Sequence, residues 1–174
     1  MTKLSINLIR HGEKKLFLPD PGLTDLGKKQ AENLAEELSK KQRSKRTKRL
    51  ILTSPKKRTQ ETAEIIAERL RLEVQIDSFL NIDNVLVNNS ASRNKILEHF
   101  KNYLKEIKDN KEVGDDSVEV LEIFAVTHSQ EVRNFWQILG GPKKAIKDIH
   151  ECGMWTIVIG GEKLDFPQYT NKNQ

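Results

Sequence analysis

The chain has 174 residues, of which 36% are hydrophobic and 32% are charged, and its formal net charge is +5. This composition is typical of a soluble globular protein, and the length is enough for one domain with its own core. No apolar stretch approaches the roughly 20 residues that a membrane-spanning helix needs, and the N-terminus lacks the pattern of a secretory leader. A single cysteine, Cys152, excludes an internal disulfide. We therefore expect a cytoplasmic protein with one domain over residues 1–174, in which residues 168–174 form a frayed tail.

The positive charge is concentrated in one segment. Residues 40–49 hold seven of the 30 lysines and arginines and no acidic residue, which leaves 23 basic residues against 25 acidic ones elsewhere. We interpret this segment as the solvated end of a helix and the loop after it, with a docking patch for an acidic partner, or weak nonspecific contact with nucleic acid, as the alternative. Neither aromatic residues nor a recognition-helix pattern accompanies it, so the sequence does not predict a nucleic-acid-binding module.

Apolar periodicity predicts strands that alternate with helices along the first half of the chain. The elements are a strand at 4–9, an irregular loop at 13–22, a helix from Thr24, a strand at 50–53, a second helix, and a strand at 72–76. The apolar face of the first helix consists of Leu26, Ala31, Leu34, Ala35 and Leu38. The second helix is capped by Ser54 and has Pro55 in its first position. Thr24 and Ser54 are expected to accept hydrogen bonds from the first backbone N–H groups of their helices.

The second half continues the same alternation. Its elements are an Asn- and Asp-rich excursion at 77–92, an amphipathic helix at 93–109, a polar loop at 111–117, a strand within 118–127, a helix from about 131 to 139 that ends at Gly140, and a hairpin of 154–159 with 163–166. This order predicts a three-layer α/β/α sandwich with a mainly parallel sheet. In such a fold the carboxyl ends of the parallel strands lie along one edge.

Polar side chains follow three of the predicted strands. Arg10 and His11 end the first strand, Arg58 lies in the first turn after the second, and His128 ends the fourth. Because these strands end at the same edge, we expect the four side chains to lie close together. Two guanidinium groups can clamp phosphoryl oxygens, and the helix that follows Ser129 offers further N–H donors. The sequence therefore predicts a phosphate site in which one histidine attacks phosphorus and the other stabilises the transferring group.

Other residues with chemical potential are interpreted as structural. His99 on the amphipathic helix and His150 in a loop are expected to serve the fold, as are Cys152, Trp136 and Trp155. A metal site is the chemical alternative, since two histidines with a carboxylate can bind zinc. The neighbouring arginines would repel a cation, and no His-x-x-x-His or Cys-x-x-Cys spacing occurs. We therefore predict no metal at this site.

Four blocks of the sequence resemble the histidine phosphatase superfamily, whose fold is that of the phosphoglycerate mutases. They are LIRHGE at 8–13, LTDLGKKQA at 23–31, TSPKKRTQETAEII at 53–66 and VTHS at 126–129. The blocks follow the family's order and span most of the chain. The chain thus resembles the small single-domain members, and the resemblance implies the phosphoglycerate mutase-like fold.

The resemblance also implies a role for each converging residue. His11 would be the nucleophile that becomes phosphorylated, and Arg10 and Arg58 would bind the phosphoryl oxygens. His128 would complete the pocket and stabilise the transferring group. Water would then hydrolyse the phosphohistidine, with neither a metal nor an organic cofactor. The longer insertions of the glycolytic mutases have no room in 174 residues, which disfavours mutase activity.

The chain departs from the family where a proton donor is expected. Many members place a glutamate after the third strand, whereas the matching stretch here is FLNID at 79–83, with Ile82 at the expected position. Asp83 is the nearest substitute, and Asp77 and Glu131 are weaker candidates. A general acid contributes roughly 10²–10⁴-fold, so its absence would favour good leaving groups, as in phosphohistidine or an acyl phosphate. The small phosphohistidine phosphatases of the family also lack this glutamate.

Two functions follow from these expectations. The first is a phosphatase that hydrolyses a phosphomonoester, a phosphohistidine or an acyl phosphate, in a small molecule or a phosphoprotein, through a phosphohistidine on His11. The alternative is a binding or regulatory module that recognises phosphate or a phosphopeptide with little turnover. A binding module needs the arginines but has no clear need for His11, which favours catalysis. Specificity is expected from residues 13–22 and 77–92.

Overall fold

The computed structural model describes residues 2–41, 44–81, 88–109, 118–160 and 163–167. Within these residues, six strands form one sheet in the order β3-β2-β4-β1-β5-β6, and four α-helices cover it. The strands are β1 (Lys3–Arg10), β2 (Thr47–Thr53), β3 (Val74–Ile76), β4 (Val120–Thr127), β5 (Met154–Gly160) and β6 (Lys163–Asp165). The helices are α1 (Asp25–Lys40), α2 (Lys57–Leu70), α3 (Ser90–Asp109) and α4 (Ser129–Leu139).

Four neighbouring strands run parallel. Both β1 and β2 pair with β4, and β3 pairs with β2, whereas β5 and β6 join the other side of β1 in antiparallel fashion. The mainly parallel sheet and the terminal hairpin predicted from the sequence are thus confirmed. The four parallel strands end at one side of the sheet, which we call the carboxyl edge.

Side-chain alternation divides the sheet between two hydrophobic cores. On β1, Leu4, Ile6 and Leu8 face a core that they share with α3 and α4. The next residue, Ile9, faces the opposite core, which it shares with α1 and α2. Since successive side chains of a strand point to opposite faces, apolar residues on both faces require helices on both sides of the sheet. This arrangement is the predicted three-layer sandwich.

The second helix starts later than the sequence predicted. α2 begins at Lys57, and the residue before it provides no side-chain cap. Ser54, the predicted cap, is buried, and its hydroxyl bonds to Thr59 and to His128. The prediction of Ser54 as the helix cap is therefore wrong, because the helix begins three residues later and the Ser54 hydroxyl is also shared with Thr59 and His128.

The first helix matches its predicted cap but not its whole predicted apolar face. Thr24 accepts a hydrogen bond from the Gly27 N–H, as predicted. Leu26, predicted on the apolar face, is 54% exposed. The inward position in the first turn belongs to Gly27, which packs against the Glu13 backbone, and neighbouring helix residues are rotated by about 100°. The other four predicted positions of this face are buried.

The start of α4 differs slightly from the prediction, and its end matches. α4 begins at Ser129, two residues earlier than predicted, and ends as predicted at Gly140, which has a left-handed backbone with φ of 93°. The predicted loop at 111–117 and tail at 168–174 lie outside the described residues.

None of the described helices combines the length and the apolar character needed to cross a bilayer.

Part of the basic segment is paired within the chain. Lys40 lies 2.8 Å from Glu36, and Arg46 pairs with Glu119. Arg49 belongs to β2 and donates a hydrogen bond to the Leu70 carbonyl. The segment is therefore a helix end and loop only in part, because its last residues form a strand.

Candidate active site

Three neighbouring strand ends meet at the carboxyl edge. Just beyond β1, His11 donates its backbone N–H to the Thr127 carbonyl at the end of β4 (3.0 Å). Just beyond β2, Ser54 donates its backbone N–H to the Val126 carbonyl of the same strand (3.1 Å). Because β4 lies between β1 and β2, the residue that follows it, His128, is flanked by both. The ring centroids of His11 and His128 are 5.3 Å apart.

Arg58 links the two histidines. Its Nε donates to His11 Nε2 at 3.2 Å, and its Nη2 lies 3.1 Å from His128 Nδ1. The guanidinium comes from the first turn of α2, which follows the end of β2. The structure therefore brings three of the four predicted residues into direct contact.

The hydrogen bonds of His11 define which ring nitrogen can react. Its Nδ1 lies 2.7 Å from the Gly12 carbonyl oxygen. Since a carbonyl can only accept, Nδ1 carries the proton of the neutral ring. Nε2 then has a free electron pair, which accepts the Nε–H of Arg58. Nε2 is therefore the atom of His11 that can act as a nucleophile.

A second chain of hydrogen bonds sets the tautomer of His128. Arg58 can only donate, so Nδ1 of His128 accepts and Nε2 carries the proton. Nε2 then donates to Ser54 Oγ (3.0 Å), Ser54 to Thr59 Oγ1 (2.8 Å), and Thr59 to the Lys56 carbonyl (2.6 Å). Ser54 was predicted as a helix cap, and no role was predicted for Thr59. Their positions next to the predicted Arg58 were the signal available for finding them.

Arg10 lies at the same edge but is held by a different set of groups. Its guanidinium donates to the Ile149 carbonyl, and its Nη2 lies 2.5 Å from a carboxylate oxygen of Glu151. Its Nε is buried without a hydrogen-bond partner among the described residues. The charge of Arg10 is one of the causes that lower the pKa of His11. Arg10 thus acts on His11 through its charge.

Two glycines let the loop after β1 lie close to α1. A Cβ atom on Gly12 would lie 2.4 Å from the Gly27 carbonyl oxygen, and a Cβ atom on Gly27 would lie 2.1 Å from the Glu13 carbonyl oxygen. The backbone N–H of Gly12 also donates to Thr62 Oγ1 of α2 at 3.1 Å. The absence of both side chains therefore lets Gly12, which follows the candidate nucleophile His11, pack against both α1 and α2.

Burial and positive charge keep both imidazoles neutral. Burial is the main reason that the pKa of His11 falls to about 4, and the charges of Arg58 and Arg10 add to the effect against the opposing bond to Gly12. Burial, then the charge of Arg58, lowers the pKa of His128 to about 3. The site thus combines neutral histidines with cationic side chains, which is favourable for binding an anion.

The sequence matches a known family over most of its length. A family model of the histidine phosphatase superfamily (branch 1) matches residues 6–122. The chain belongs to the histidine phosphatase superfamily. The resemblance derived from the four sequence blocks is thereby confirmed. A search of curated protein sequences finds no significant match.

Solved structures of phosphatases share the fold of this superfamily member. A phosphoserine phosphatase variant from Entamoeba histolytica, solved with phosphoserine, is 17% identical, with a TM-score of 0.64 over 98% of both chains. A mycobacterial glucosyl-3-phosphoglycerate phosphatase is 17% identical, with a TM-score of 0.62 over 97% of this chain and 99% of that one. SixA from Agrobacterium tumefaciens, a candidate phosphohistidine phosphatase, is 14% identical, with a TM-score of 0.62 over 97% and 98%. These likenesses confirm the phosphoglycerate mutase-like fold.

In this histidine phosphatase superfamily member, Asp77 belongs to a separate cluster. Its carboxylate accepts hydrogen bonds from the Phe79 N–H (2.9 Å), His99 (2.7 Å) and the Tyr103 hydroxyl (3.2 Å). Burial by itself would raise the pKa of Asp77. The three hydrogen bonds and the charge of His99 outweigh the effect of burial, so the pKa of Asp77 is lowered overall. A lowered pKa is the opposite of what a proton donor needs. His99 has the structural role that the sequence analysis expected, since its ring also stacks on Phe79 at 4.0 Å.

Two of the remaining candidates, Ser129 and Glu131, lie in α4. Ser129 begins this helix directly after His128, so backbone N–H groups without an intrahelical acceptor lie at the carboxyl edge. Glu131 is buried in the first turn of the same helix, and its charge raises the pKa of Arg58 against the stronger lowering by burial. Asp83 lies outside the described residues. Those residues contain no group of three or more His, Cys, Asp or Glu side chains arranged to bind a metal ion.

Proposed function

We propose that this protein is a metal-independent phosphatase that hydrolyses a phosphomonoester, a phosphohistidine or an acyl phosphate through a phosphohistidine on His11. The observation that carries the proposal is the contact of Arg58 with both His11 and His128, in which His11 is neutral and its Nε2 is a hydrogen-bond acceptor. Membership of the histidine phosphatase superfamily supports it. The phosphatase names of the structural neighbours support the same reaction class.

Binding of the phosphoryl group begins with its negative charge. Arg58 and Arg10 supply positive charge at the carboxyl edge, and the start of α4 at Ser129 supplies backbone N–H groups. Phosphoryl oxygens would replace the imidazoles as acceptors for Arg58. This exchange frees the electron pair of His11 Nε2 for attack.

The reaction then proceeds in two displacements at phosphorus. Nε2 of His11 attacks in line, so that an N–P bond forms while the bond to the leaving group breaks and its electrons depart with that group. Water next attacks the phosphohistidine, the N–P bond breaks, and the electron pair returns to Nε2 as inorganic phosphate leaves. Arg58 stabilises the charge on the equatorial oxygens in both steps, and His128 contributes once its Nδ1, released by Arg58, takes up a proton. Asp83, and less so Glu131, are the proposed donors of a proton to the leaving group.

Trapping of the phosphorylated protein tests this proposal. We expect ³²P-labelled acetyl phosphate to leave an alkali-stable, acid-labile label on the wild type and on the matched control His150→Ala, whose side chain is exposed. His11→Ala should carry no label, and its turnover should fall at least about 10³-fold. Equal turnover in His11→Ala and wild type would overturn the proposal. Phosphate binding without turnover of any of the three substrate classes would instead favour the binding module.

Removal of metal ions provides a separate check. Phosphoryl oxygens are neutralised here by guanidinium groups and by backbone N–H groups, so we expect kcat/KM to change less than about twofold in EDTA. The measurement is hydrolysis of p-nitrophenyl phosphate before and after dialysis against the chelator. Loss of activity that zinc or magnesium restores would contradict metal independence.

A further inference from the structure

The exposed large apolar side chains cluster at the carboxyl edge. Among the described residues they are Leu16 (68% exposed), Phe17 (100%), Leu18 (56%), Leu26 (54%) and Ile76 (62%). The first three lie in the loop after β1, Leu26 lies in the first turn of α1, and Ile76 is the last residue of β3. Scattered apolar residues are normal on any surface, but three consecutive exposed ones, as at 16–18, form a candidate interaction site. We call residues 16–18 the apolar tip.

The apolar tip is presented by a loop whose base is fixed. Lys14 and Leu23 form an antiparallel bridge, and the Lys15 N–H donates to the Gly22 carbonyl at 2.9 Å. Glu61 of α2 accepts the Leu23 N–H at 2.6 Å. The two arms of the loop are thus hydrogen-bonded to each other and to α2. The tip is therefore exposed although the base of its loop is held in place.

The backbone at the apolar tip is strained. Phe17 has a φ of 62°, in the left-handed region that large side chains rarely adopt. Its side chain is fully exposed, so packing within the chain does not offset the strain. Strained conformations of this kind concentrate at ligand and partner sites. The tip therefore has the properties of a surface that a partner covers.

The apolar tip adjoins the cluster of His11, Arg58 and His128, which we call the phosphate cluster. Asp20, two residues beyond the tip, lies 3.6 Å from Arg58 Nη1. Lys14, two residues before the tip, contributes through its charge to the low pKa of His11 and His128. Two residues of chain reach at most about 7 Å, so a ligand held by Arg58 lies next to the tip.

The position of the apolar tip indicates the kind of partner. The loop that carries the tip is held against α2, through Asp20 at Arg58 and Leu23 at Glu61, so the tip lies beside the site. A small phosphoester held by Arg58 occupies the site alone. A polypeptide also carries side chains within two residues of its phosphorylated residue, and two residues of chain span about 7 Å, which is enough to reach the tip.

We propose that the apolar tip, together with Leu26 and Ile76, is a docking surface for a phosphorylated polypeptide with apolar side chains flanking its phosphorylated residue. This inference rests on the proposed phosphatase function and names its substrate class. The flanking side chains cover the exposed residues of this edge, while the phosphoryl group reaches His11 and Arg58.

Two synthetic peptides test the docking surface. Both carry phosphohistidine and have equal length and charge, but one has leucines and the other serines around it, and free phosphohistidine serves as the small substrate. For the wild type we expect kcat/KM to be at least about tenfold higher for the leucine peptide. The variant Leu16→Ser/Phe17→Ser/Leu18→Ser should reduce this preference to within about twofold and leave kcat/KM for free phosphohistidine unchanged within the same margin.

A matched variant separates apolar character from the particular residues. Leu16→Met/Phe17→Leu/Leu18→Met keeps the tip apolar, so the preference for the leucine peptide should remain. Equal kcat/KM for both peptides in the wild type, or a preference that survives the serine variant, would overturn the proposal. The proposal would also be overturned if the wild type showed no peptide preference but bound phosphatidylserine vesicles, or self-associated in sedimentation, and the serine variant abolished that behaviour.

Binding to His11→Ala distinguishes this proposal from the phosphatase proposal. Fluorescent phosphoserine peptides with leucine or serine flanks are stable probes, and the leucine form should bind at least about tenfold more tightly in an anisotropy titration. Preferential binding to His11→Ala without turnover by the wild type would overturn only the phosphatase. Turnover by the wild type with equal binding of both peptides would overturn only the docking surface.

Discussion

At the scale of the residue, the site is organised by which groups can only donate and which can only accept. The Gly12 carbonyl can only accept, which places the proton of His11 on Nδ1 and leaves Nε2 available. Arg58 can only donate, which places the proton of His128 on Nε2, where Ser54 accepts it. The two rings therefore hold opposite tautomers although both contact the same guanidinium.

Removal of the Ser54 hydroxyl tests the chain that orients His128. In Ser54→Ala the buried Nε2–H of His128 loses its acceptor, which costs about 1–3 kcal/mol. If the ring is needed in its present orientation, kcat/KM should fall roughly 10–100-fold. Steady-state kinetics and thermal unfolding measure the two effects, and Thr59→Ser, which keeps the hydroxyl chain, should stay close to wild type. A value of kcat/KM for Ser54→Ala within twofold of wild type would rule out this orienting role.

At the scale of the element, the loop after β1 depends on its close approach to α1. The Glu13 N–H donates to the Gln30 side chain of this helix, and the Glu13 carbonyl accepts the Thr24 N–H. Gly27 lies where a Cβ atom would meet the Glu13 backbone, so its missing side chain sets the distance between loop and helix. The position of His11 is therefore tied to the packing of an element that contributes no residue to the phosphate cluster.

Substitution of this glycine should disturb both stability and activity. In Gly27→Ala the added Cβ would lie 2.1 Å from the Glu13 carbonyl oxygen, so the loop must move. We expect a loss of about 1–3 kcal/mol in the free energy of unfolding, as for other overpacked sites, and a lower kcat/KM. Urea unfolding measures the loss. Gly160→Ala is the matched control, because no atom lies within 4 Å of its added Cβ. Equal stability of the two variants would contradict the packing argument.

At the scale of the whole molecule, two buried neutral imidazoles couple stability to pH. The pKa of His11 is about 4 and that of His128 about 3 in the folded chain, against 6.5 for an unperturbed histidine. Between these values the unfolded chain binds more protons than the folded one. The stability is therefore fully present above pH 6.5 and is lost as the pH falls through the folded pKa values. Asp77, whose pKa is also lowered, acts in the same direction in more acidic solution.

The acid dependence of unfolding tests this coupling. Between pH 7.5 and pH 4 we expect the free energy of unfolding to fall by roughly 1–3 kcal/mol more in the wild type than in His11→Gln, which has no imidazole to protonate at this position. Urea titrations at several pH values measure the difference. Parallel pH profiles for the two proteins would show that the folded state does not disfavour protonation of His11.

The sequence was informative where structure depends on neighbours in the chain. The strand before Arg10, the cap at Thr24 and the helix end at Gly140 were predicted because apolar period and backbone preference are local. Convergence of His11, Arg58 and His128 was also within reach, since parallel strands share one carboxyl edge. Predictions were wrong where a distant group competed, as at Ser54, or where a neighbour took the inward position, as at Leu26.

By itself, then, the sequence determined the types of element, the family and the strand ends that carry guanidinium and imidazole groups. Only the tertiary structure decided that Arg58 bonds both rings, that Arg10 is held by Ile149 and Glu151, and that Asp77 is paired with His99. The physical reason is that hydrogen-bond partners depend on strand order, here β2-β4-β1, and on helix docking. Both arise from packing between segments far apart in the chain, which local periodicity does not encode.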